Sequence, residues 1–260
     1  METIRNLEKE IENMQVIIPA GGRAKRMGKI EKPKPLLEIN GKPLLHYTLK
    51  WLKNCGFRDF RFLLGYKYEE IMEYLDTYCK HEFNISYSVE PENIKGKGKA
   101  LKYALINNKI DKNKRALICF PDDIYLDKNL PIELLIRHLY GVRTHNTLAT
   151  VVFVSGTVYP YGIGEINSDQ LVSKFVEKPF IEKHTSTGLY LIEPEVFKII
   201  EEKIDLDSHE SIEFEQTVLP YLAEKKRVFS VVVPSSVWLP VNTLKELERA
   251  GEILKNNDEN

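Results

Sequence analysis

Several residue groups in this sequence have the types and spacing to handle phosphate and a hard cation. Ala20-Gly21-Gly22 follows the apolar run Val16-Ile17-Ile18. Arg23, Lys25, Arg26, Lys29, Lys32 and Lys34 then place six cations within a dozen residues. Glycines let a backbone turn tightly and approach a ligand closely, and the N–H groups of such a turn form an anion cradle. Strand, glycine turn and clustered cations suit a polyphosphate. A bare Gly-Gly with solvated lysines is also an ordinary strand-to-helix turn. The cation density and Pro33-Lys34-Pro35 favour the phosphate. A second group is Pro121-Asp122-Asp123 at the end of the apolar run Ala116–Phe120. An Asp at the carboxyl end of a buried parallel strand suits Mg²⁺, which takes one or two carboxylates plus phosphate oxygens. A turn cap stays open for Asp123. A third is Gly96-Lys97-Gly98-Lys99, where glycines allow flat packing against a ring. A surface glycine loop fits that spacing equally well. In the fourth, Tyr161-Gly162 precedes Glu177-Lys178-Pro179, and a lone Glu–Lys pair is more often a solvated surface pair.

The elements that must position these groups follow from periodicity. Residues 2–13 carry Ile4, Leu7 and Ile11 at helical spacing and form a helix ahead of the main domain, expected to pack on the core or on another subunit. Strands are expected at 15–19, 60–64, 85–89 and 116–120. Helices are expected from Pro43 to Gly56, from Tyr68 to Lys80 and from Lys99 to Asn107. Strands alternating with such helices mean βαβ units and a parallel sheet, whose ligands lie at the carboxyl ends of the strands. From about residue 145 the pattern changes. Strands are expected at 148–154, 189–192 and 228–233, a hairpin around Ser168-Asp169, and helices at 194–202, 211–225 and 243–256. The expected fold is therefore α/β. It is a Rossmann-like, mixed, mostly parallel sheet with helices on both faces and an antiparallel extension. Residues 1–14 form the extra helix and 15–256 one domain, with a first half to about 145 and a second half from about 146.

The 260 residues carry a net charge of −1, with 43% apolar and 29% charged residues. That fits a globular protein and gives no support for nucleic acid or a membrane surface as a partner. Cys55, Cys79 and Cys119 are odd in number and lack C-x-x-C spacing, so free thiols in a reducing cytoplasm are expected. No apolar run approaches the length of a membrane span.

Val16-Ile17-Ile18-Pro19-Ala20-Gly21-Gly22-Arg23-Ala24-Lys25-Arg26-Met27-Gly28, followed by Lys32-Pro33-Lys34-Pro35, resembles the amino-terminal signature of the sugar-1-phosphate nucleotidylyltransferases. The wider group includes molybdopterin-cofactor guanylyl- and cytidylyltransferases. The signature's arginine falls on Arg26 and its lysine on Lys34; Ala24 and Lys25 depart from the usual Gly-Thr. The resemblance implies nucleotide binding by Ala20, Gly21, Gly22, Arg23 and Lys25. It also implies a base site at Glu90, Gly96 and Gly98, where Glu90 stands nearest to a Gln common in relatives. A carboxylate cannot donate to a carbonyl oxygen as an amide does, so the base stays open. It implies a sugar site at Gly162, Glu177, Lys178, Thr187 and Gly188, with Lys178 steering the attacking phosphate. It implies Mg²⁺ on Asp122 and on Asn242, whose Val-Asn replaces the usual Asp, a position here held by Pro240. Arg26 and Lys34 would stabilise charge on the α-phosphate and leaving pyrophosphate.

The activity so implied is Mg²⁺-dependent transfer of a nucleotidyl group from an NTP to a sugar 1-phosphate. The partners are the NTP and a phosphorylated small-molecule acceptor; a homo-oligomer stays open. Two alternatives remain at this point: a cytidylyl- or guanylyltransferase acting on a polyol, amino-alcohol or cofactor phosphate, and a non-catalytic paralogue that binds nucleotide sugar and regulates a partner. Ala24, Pro121 and Pro240 keep the second alive.

Overall fold

The computed structural model describes residues 2–23, 27–28 and 31–258, with side chains from 5 to 256. Seven strands form one sheet: β1 (Gln15–Pro19), β2 (Asp59–Leu64), β3 (Asn84–Val89), β4 (Ala116–Ile118), β5 (Ala149–Val154), β6 (Thr185–Ile192) and β7 (Val228–Val233). Their spatial order is β7-β5-β6-β4-β1-β2-β3. Only β6 runs against its neighbours β4 and β5; every other adjacent pair is parallel. The antiparallel character expected of the second half is thus confined, within this sheet, to one strand. The rest of it lies in short ribbons outside the sheet.

The runs Val16-Ile17-Ile18 and Leu117-Ile118 are buried throughout, because strands covered on both faces need apolar side chains on both sides. One face is covered by α4 (Lys97–Ile106), α6 (Glu195–Lys203) and α7 (Phe214–Glu224). The other is covered by α1 (Glu2–Glu12), α2 (Leu44–Asn54), α3 (Tyr68–Tyr78) and α5 (Leu130–His145). The amino-terminal helix therefore packs on this chain's own core through Ile11. Glu10 at its end pairs with Arg115 at 2.5 Å. Arg115 also pairs with Glu193 at 2.5 Å, and Glu193 accepts from the buried His138 at 2.7 Å. This polar network closes the end of the sheet opposite the glycine loop, where β4 begins and β6 finishes.

The periodicity reading names no element between Asp123 and His145, where the structure has α5 and a short strand at Asp123–Tyr125. Pro131 and Gly141 obscure the helix in sequence. Pro131 sits in the first turn, where a missing N–H costs nothing. Gly141 lies against the Phe229 ring and Thr147, 2.8 Å from where a Cβ would stand.

A third, smaller core fixes the site. Met27, Leu37, Ile39, Leu44, Ile124, Val241 and Ala250 pack together, with Leu239 and Leu247 against them. They come from the cation-rich loop, α2, the ribbon Asp123–Tyr125/Trp238–Pro240 and α8 (Leu244–Asp258). Residues some 200 positions apart are thereby held at one place.

Candidate functional site

The strand order reverses between β1 and β4, so the loops after these two strands diverge and leave a crevice. The cleft there has a volume of about 1730 Å³ and is lined by Gly21, Gly22, Lys34, Glu90, Asp122 and Asn242, among others. Its floor is a three-residue contact. The Lys34 ammonium bonds the Asp122 carboxylate and lies 3.4 Å from Asn242 Oδ1. Local structure explains each placement. Lys34 opens a single 3-10 turn, Lys34–Leu36, stiffened by Pro33 and Pro35. Asp122 follows β4, and its carbonyl accepts the Val241 N–H at 2.8 Å, which brings the next residue, Asn242, alongside. Thr243 caps α8 by accepting the Glu246 N–H at 3.2 Å, and the Glu246 carboxylate reaches back to the Asn242 N–H at 2.7 Å. The capping role thus falls to Thr243, and the Asn242 amide oxygen faces the cleft. Asp123, which also lines the cleft, accepts from Trp238 Nε1 at 2.8 Å. Burial, and then the neighbouring Asp122 charge, hold Asp123 well above the usual carboxylate range.

The opposite wall is backbone and one carboxylate. Gly21 packs so closely on Gly65 that a Cβ would stand 3.1 Å from the Gly65 nitrogen and 3.1 Å from Glu90 Oε2. Glu90 is thus fixed at the end of β3, its own N–H bonded to the Leu64 carbonyl at 2.7 Å. Burial pushes its carboxyl up to about 8. Ala20 is buried beneath the turn. Arg23 is exposed on the rim, over the Tyr66 ring and 3.7 Å from Glu92. Ala24, Lys25 and Arg26 lie outside the described residues.

Gly96, which lines the cleft, and Gly98 both pack closely on the chain itself. Both press against Ile212: a Cβ on Gly96 would lie 2.4 Å from its carbonyl oxygen, and one on Gly98 2.8 Å. The Gly98 N–H donates to that carbonyl at 2.9 Å, and the Lys97 N–H to Glu213 Oε2 at 3.1 Å. The N–H groups of Lys97 and Gly98 are thus satisfied within the chain. Lys99 is fully buried and donates to the carbonyls of Leu206 and Ser208, holding the segment that Gly98 packs on. Sequence reasoning passed over the polar group this creates. Lys97 pairs with Glu215 at 2.6 Å, stands 4.7 Å from the Phe120 ring centre, and shares Glu215 with the Tyr190 hydroxyl at 3.2 Å. Two acids two apart, Glu213 and Glu215, at the start of an apolar helix read most simply as helix-dipole partners, so no local signal marks them as cleft residues.

The residues expected to hold the acceptor divide into two groups. Thr187 and Gly188 start β6, which enters the sheet from the cleft edge, and both line the cleft. The Thr187 side chain is taken by the Val152 carbonyl at 3.1 Å, and Gly188, at φ +85°, makes room for the Phe120 ring. Gly162, Glu177 and Lys178 lie instead on a long hairpin, residues 157–181, between β5 and β6. Phe175 and Glu177 crowd the space above Gly162. Glu177 and Lys178 are exposed and do not line the cleft.

A sequence profile of the nucleotidyl transferase family matches residues 15–257. The chain belongs to this family. Within the family, it is 27% identical over 241 residues to the mannose-1-phosphate guanyltransferase of Saccharomyces cerevisiae, covering 90% of this chain and 62% of that protein. It is 31% identical over 190 residues to the D-glycero-alpha-D-manno-heptose 1-phosphate guanylyltransferase of Campylobacter jejuni, covering 71% of this chain and 78% of that protein. The chain thus spans less than two thirds of the yeast relative's length. The fold is that of solved nucleotidyl transferase structures. A candidate glucose-1-phosphate thymidylyltransferase of Bacillus anthracis superposes with a TM-score of 0.70 at 21% identity, covering 92% of this chain and 94% of that one. HddC of Yersinia pseudotuberculosis, complexed with GMP-PN, superposes with a TM-score of 0.63 at 19% identity, covering 92% and 99%. Among the described residues no helix is long and apolar enough to cross a membrane.

Proposed function

We propose that this chain transfers GMP from GTP to a manno-configured sugar 1-phosphate, releasing pyrophosphate. The observation that carries the reading is the meeting of Lys34, Asp122 and Asn242 at the crevice between β1 and β4. An oxygen of the sugar phosphate attacks the α-phosphorus of GTP in line. The bond from the α-phosphorus to the bridging oxygen breaks, and pyrophosphate leaves with that electron pair. Such a transfer needs positioning and charge stabilisation rather than a protein nucleophile. Lys34 supplies an ammonium, positioned at the cleft floor beside Asp122, to the charge that develops on the α-phosphate and the leaving group. Arg26 shares that charge by the family signature, and Lys178 steers the incoming phosphate.

The same residues fit Mg²⁺. A cation already lies between the carboxylate and amide oxygens of Asp122 and Asn242, and hard oxygen donors of this kind suit that ion. Asp122 and Asn242 would hold it, and when bound it supplies further charge neutralisation to the phosphate oxygens.

The base assignment is supported by Glu90. An ionised carboxylate accepts two N–H groups side by side, the arrangement guanine presents at N1 and N2. The relatives above are named for guanylyl transfer. A protonated Glu90 would instead pair one donor with one acceptor, as an amide does, and would suit uracil. Its raised pKa gives that second reading a specific basis.

Pyrophosphate release across ATP, CTP, GTP, UTP and dTTP, each with mannose 1-phosphate, a manno-heptose 1-phosphate, glucose 1-phosphate and a polyol phosphate, tests the whole reading. Turnover is expected with GTP and the manno-configured acceptors. Turnover only with the polyol phosphate would move the protein to the non-sugar transferases. Nucleotide-sugar binding without turnover would make it a regulatory relative.

A further inference from the structure

The cleft carries a second polar group, set apart from its floor. Lys97 opens α4, Glu215 lies in the first turn of α7, and Tyr190 sits in β6. All three line the cleft, and so does Ser186. Lys97 Nζ and the Tyr190 hydroxyl both donate to Glu215 Oε1, at 2.6 and 3.2 Å. The Ser186 hydroxyl stands 3.4 Å from that of Tyr190. Glu215 Oε2 has no hydrogen-bond partner among the described residues, so the carboxylate keeps unused acceptor capacity. The Lys97 and Glu215 side chains are 38% and 25% exposed. The pair has given up much of its water without being sealed from the cleft. The Phe120 ring connects this group to the floor. Lys97 Nζ stands 4.7 Å from the ring centre. A Cβ on Gly188 would lie 2.7 Å from the same ring and 3.2 Å from Asp123 Oδ2. A sugar whose phosphate rests at the floor would thus run along Phe120 and Gly188 and bring its far end to Lys97 and Glu215. Beyond that pair the cleft continues to Leu219, Ala223 and Val228.

We propose that Lys97 and Glu215 select the acceptor, and that they take a sugar 1-phosphate with an exocyclic diol, as a manno-heptose carries, over a hexose that lacks one. This rests on the function proposed above. A hydroxyl both donates and accepts. Of two neighbouring hydroxyls, one can give its proton to Glu215 while the other accepts from Lys97. Other far ends suit the group less well. A carboxylate there would meet one ammonium and two acids, since Glu213 lies 3.9 Å from Lys97 beside Glu215, and like charge disfavours it. A methyl there would displace the pair's remaining water and leave its polar groups unpaired. The space towards Leu219 and Val228 admits the additional carbon of a heptose.

Steady-state kinetics with GTP and three acceptors test this: a manno-heptose 1-phosphate, mannose 1-phosphate and 6-deoxymannose 1-phosphate. Wild-type kcat/KM is expected to fall in that order, by about tenfold or more from first to last, as loss of hydrogen bonds to charged groups does. Lys97→Met and Glu215→Gln should erase that preference through KM for the acceptor and keep KM for GTP. Lys97→Arg retains a donor cation at the site, so it should keep the order of preference, and it serves with Glu215→Gln if Lys97→Met folds poorly. A wild type that prefers mannose 1-phosphate, or that treats the three acceptors alike, would overturn the proposal. So would variants that keep the wild-type preference. Variants that lose thermal stability, and lose activity equally with every acceptor, would also overturn it, by reducing the pair to a tie between α4 and α7. Each of these results leaves guanylyl transfer standing. Absence of wild-type turnover with GTP and all three acceptors would remove that function, and this inference with it.

Discussion

The cleft floor and the hairpin carry the two halves of the proposed chemistry, and they are built differently. Lys34, Asp122 and Asn242 stand on segments tied together by a dedicated apolar core, including Met27, Leu44, Ile124 and Val241, and by the Val241–Asp122 backbone bond. Glu177 and Lys178 stand on a ribbon with no core beneath it. The difference has a physical reading. Charge stabilisation at the α-phosphate works through groups already in place, because reorganising them during reaction would cost much of their benefit. An acceptor site can be completed on binding. On the proposed function, the cleft floor is therefore preformed, while Glu177 and Lys178 of the acceptor site are brought in on binding, beside Thr187 and Gly188, which already line the cleft.

The largest effect should come from the preformed floor. Lys34→Ala is expected to lower kcat about 10²–10³-fold, or about 3–4 kcal/mol of barrier, by analogy with loss of one oxyanion donor, while the thermal transition is kept. Near-normal turnover in that variant would remove Lys34 from the chemistry. Next comes Glu90. Its carboxyl ionises near 8 in the free protein, and guanine needs it ionised, so KM for GTP should fall as pH rises from 6 to 8, by at most about tenfold per unit. Glu90→Gln should flatten that slope and shift preference toward UTP. An opposite slope would favour the uracil reading. The sign for stability is the reverse. The folded state holds this proton more tightly than the unfolded chain, whose Glu ionises near 4.5, so stability should decline as pH rises between these values, and Glu90→Gln should remove that decline.

On the hairpin, Glu177→Gln is expected to raise KM for the sugar 1-phosphate about tenfold, or about 1.4 kcal/mol, and to leave KM for GTP unchanged. Equal effects on both substrates would blur the division between floor and hairpin. The smallest effect should be at Asn242→Asp. A second carboxylate beside Asp122 should shift Mg²⁺ activation to lower concentration by a few fold. An unchanged activation curve would leave Asp122 as the sole protein ligand.

Most of the sheet was legible in the chain because its strands are buried on both faces and read as unbroken apolar runs. The helix Leu130–His145 was not, since its Pro131 and Gly141 are helix-breaking by type and harmless only by position. Lys34 and Asp122 could be singled out from local motifs, proline-flanked lysine and strand-ending aspartate. Their mutual contact, and its extension to Asn242, needed the long-range packing of the third core. What the glycines at 96 and 98 pack against needed long-range packing too. A glycine reports that something comes close, and here it is Ile212, more than a hundred positions away. The exposure of Glu177 and Lys178 matches the solvated pair that their spacing alone suggests; whether they reach an acceptor is not written in the local sequence, because they follow a ribbon whose position over the cleft no local pattern fixes.

The division between a preformed cleft floor and an acceptor site completed on binding is tested most directly by calorimetric titration of mannose 1-phosphate into the protein, with and without a saturating non-hydrolysable GTP analogue and Mg²⁺. The expected result is binding at least tenfold tighter with the nucleotide in place, and little or none without it. Equal affinity for mannose 1-phosphate in both titrations would contradict the account, since the acceptor site would then be as ready-made as the cleft floor.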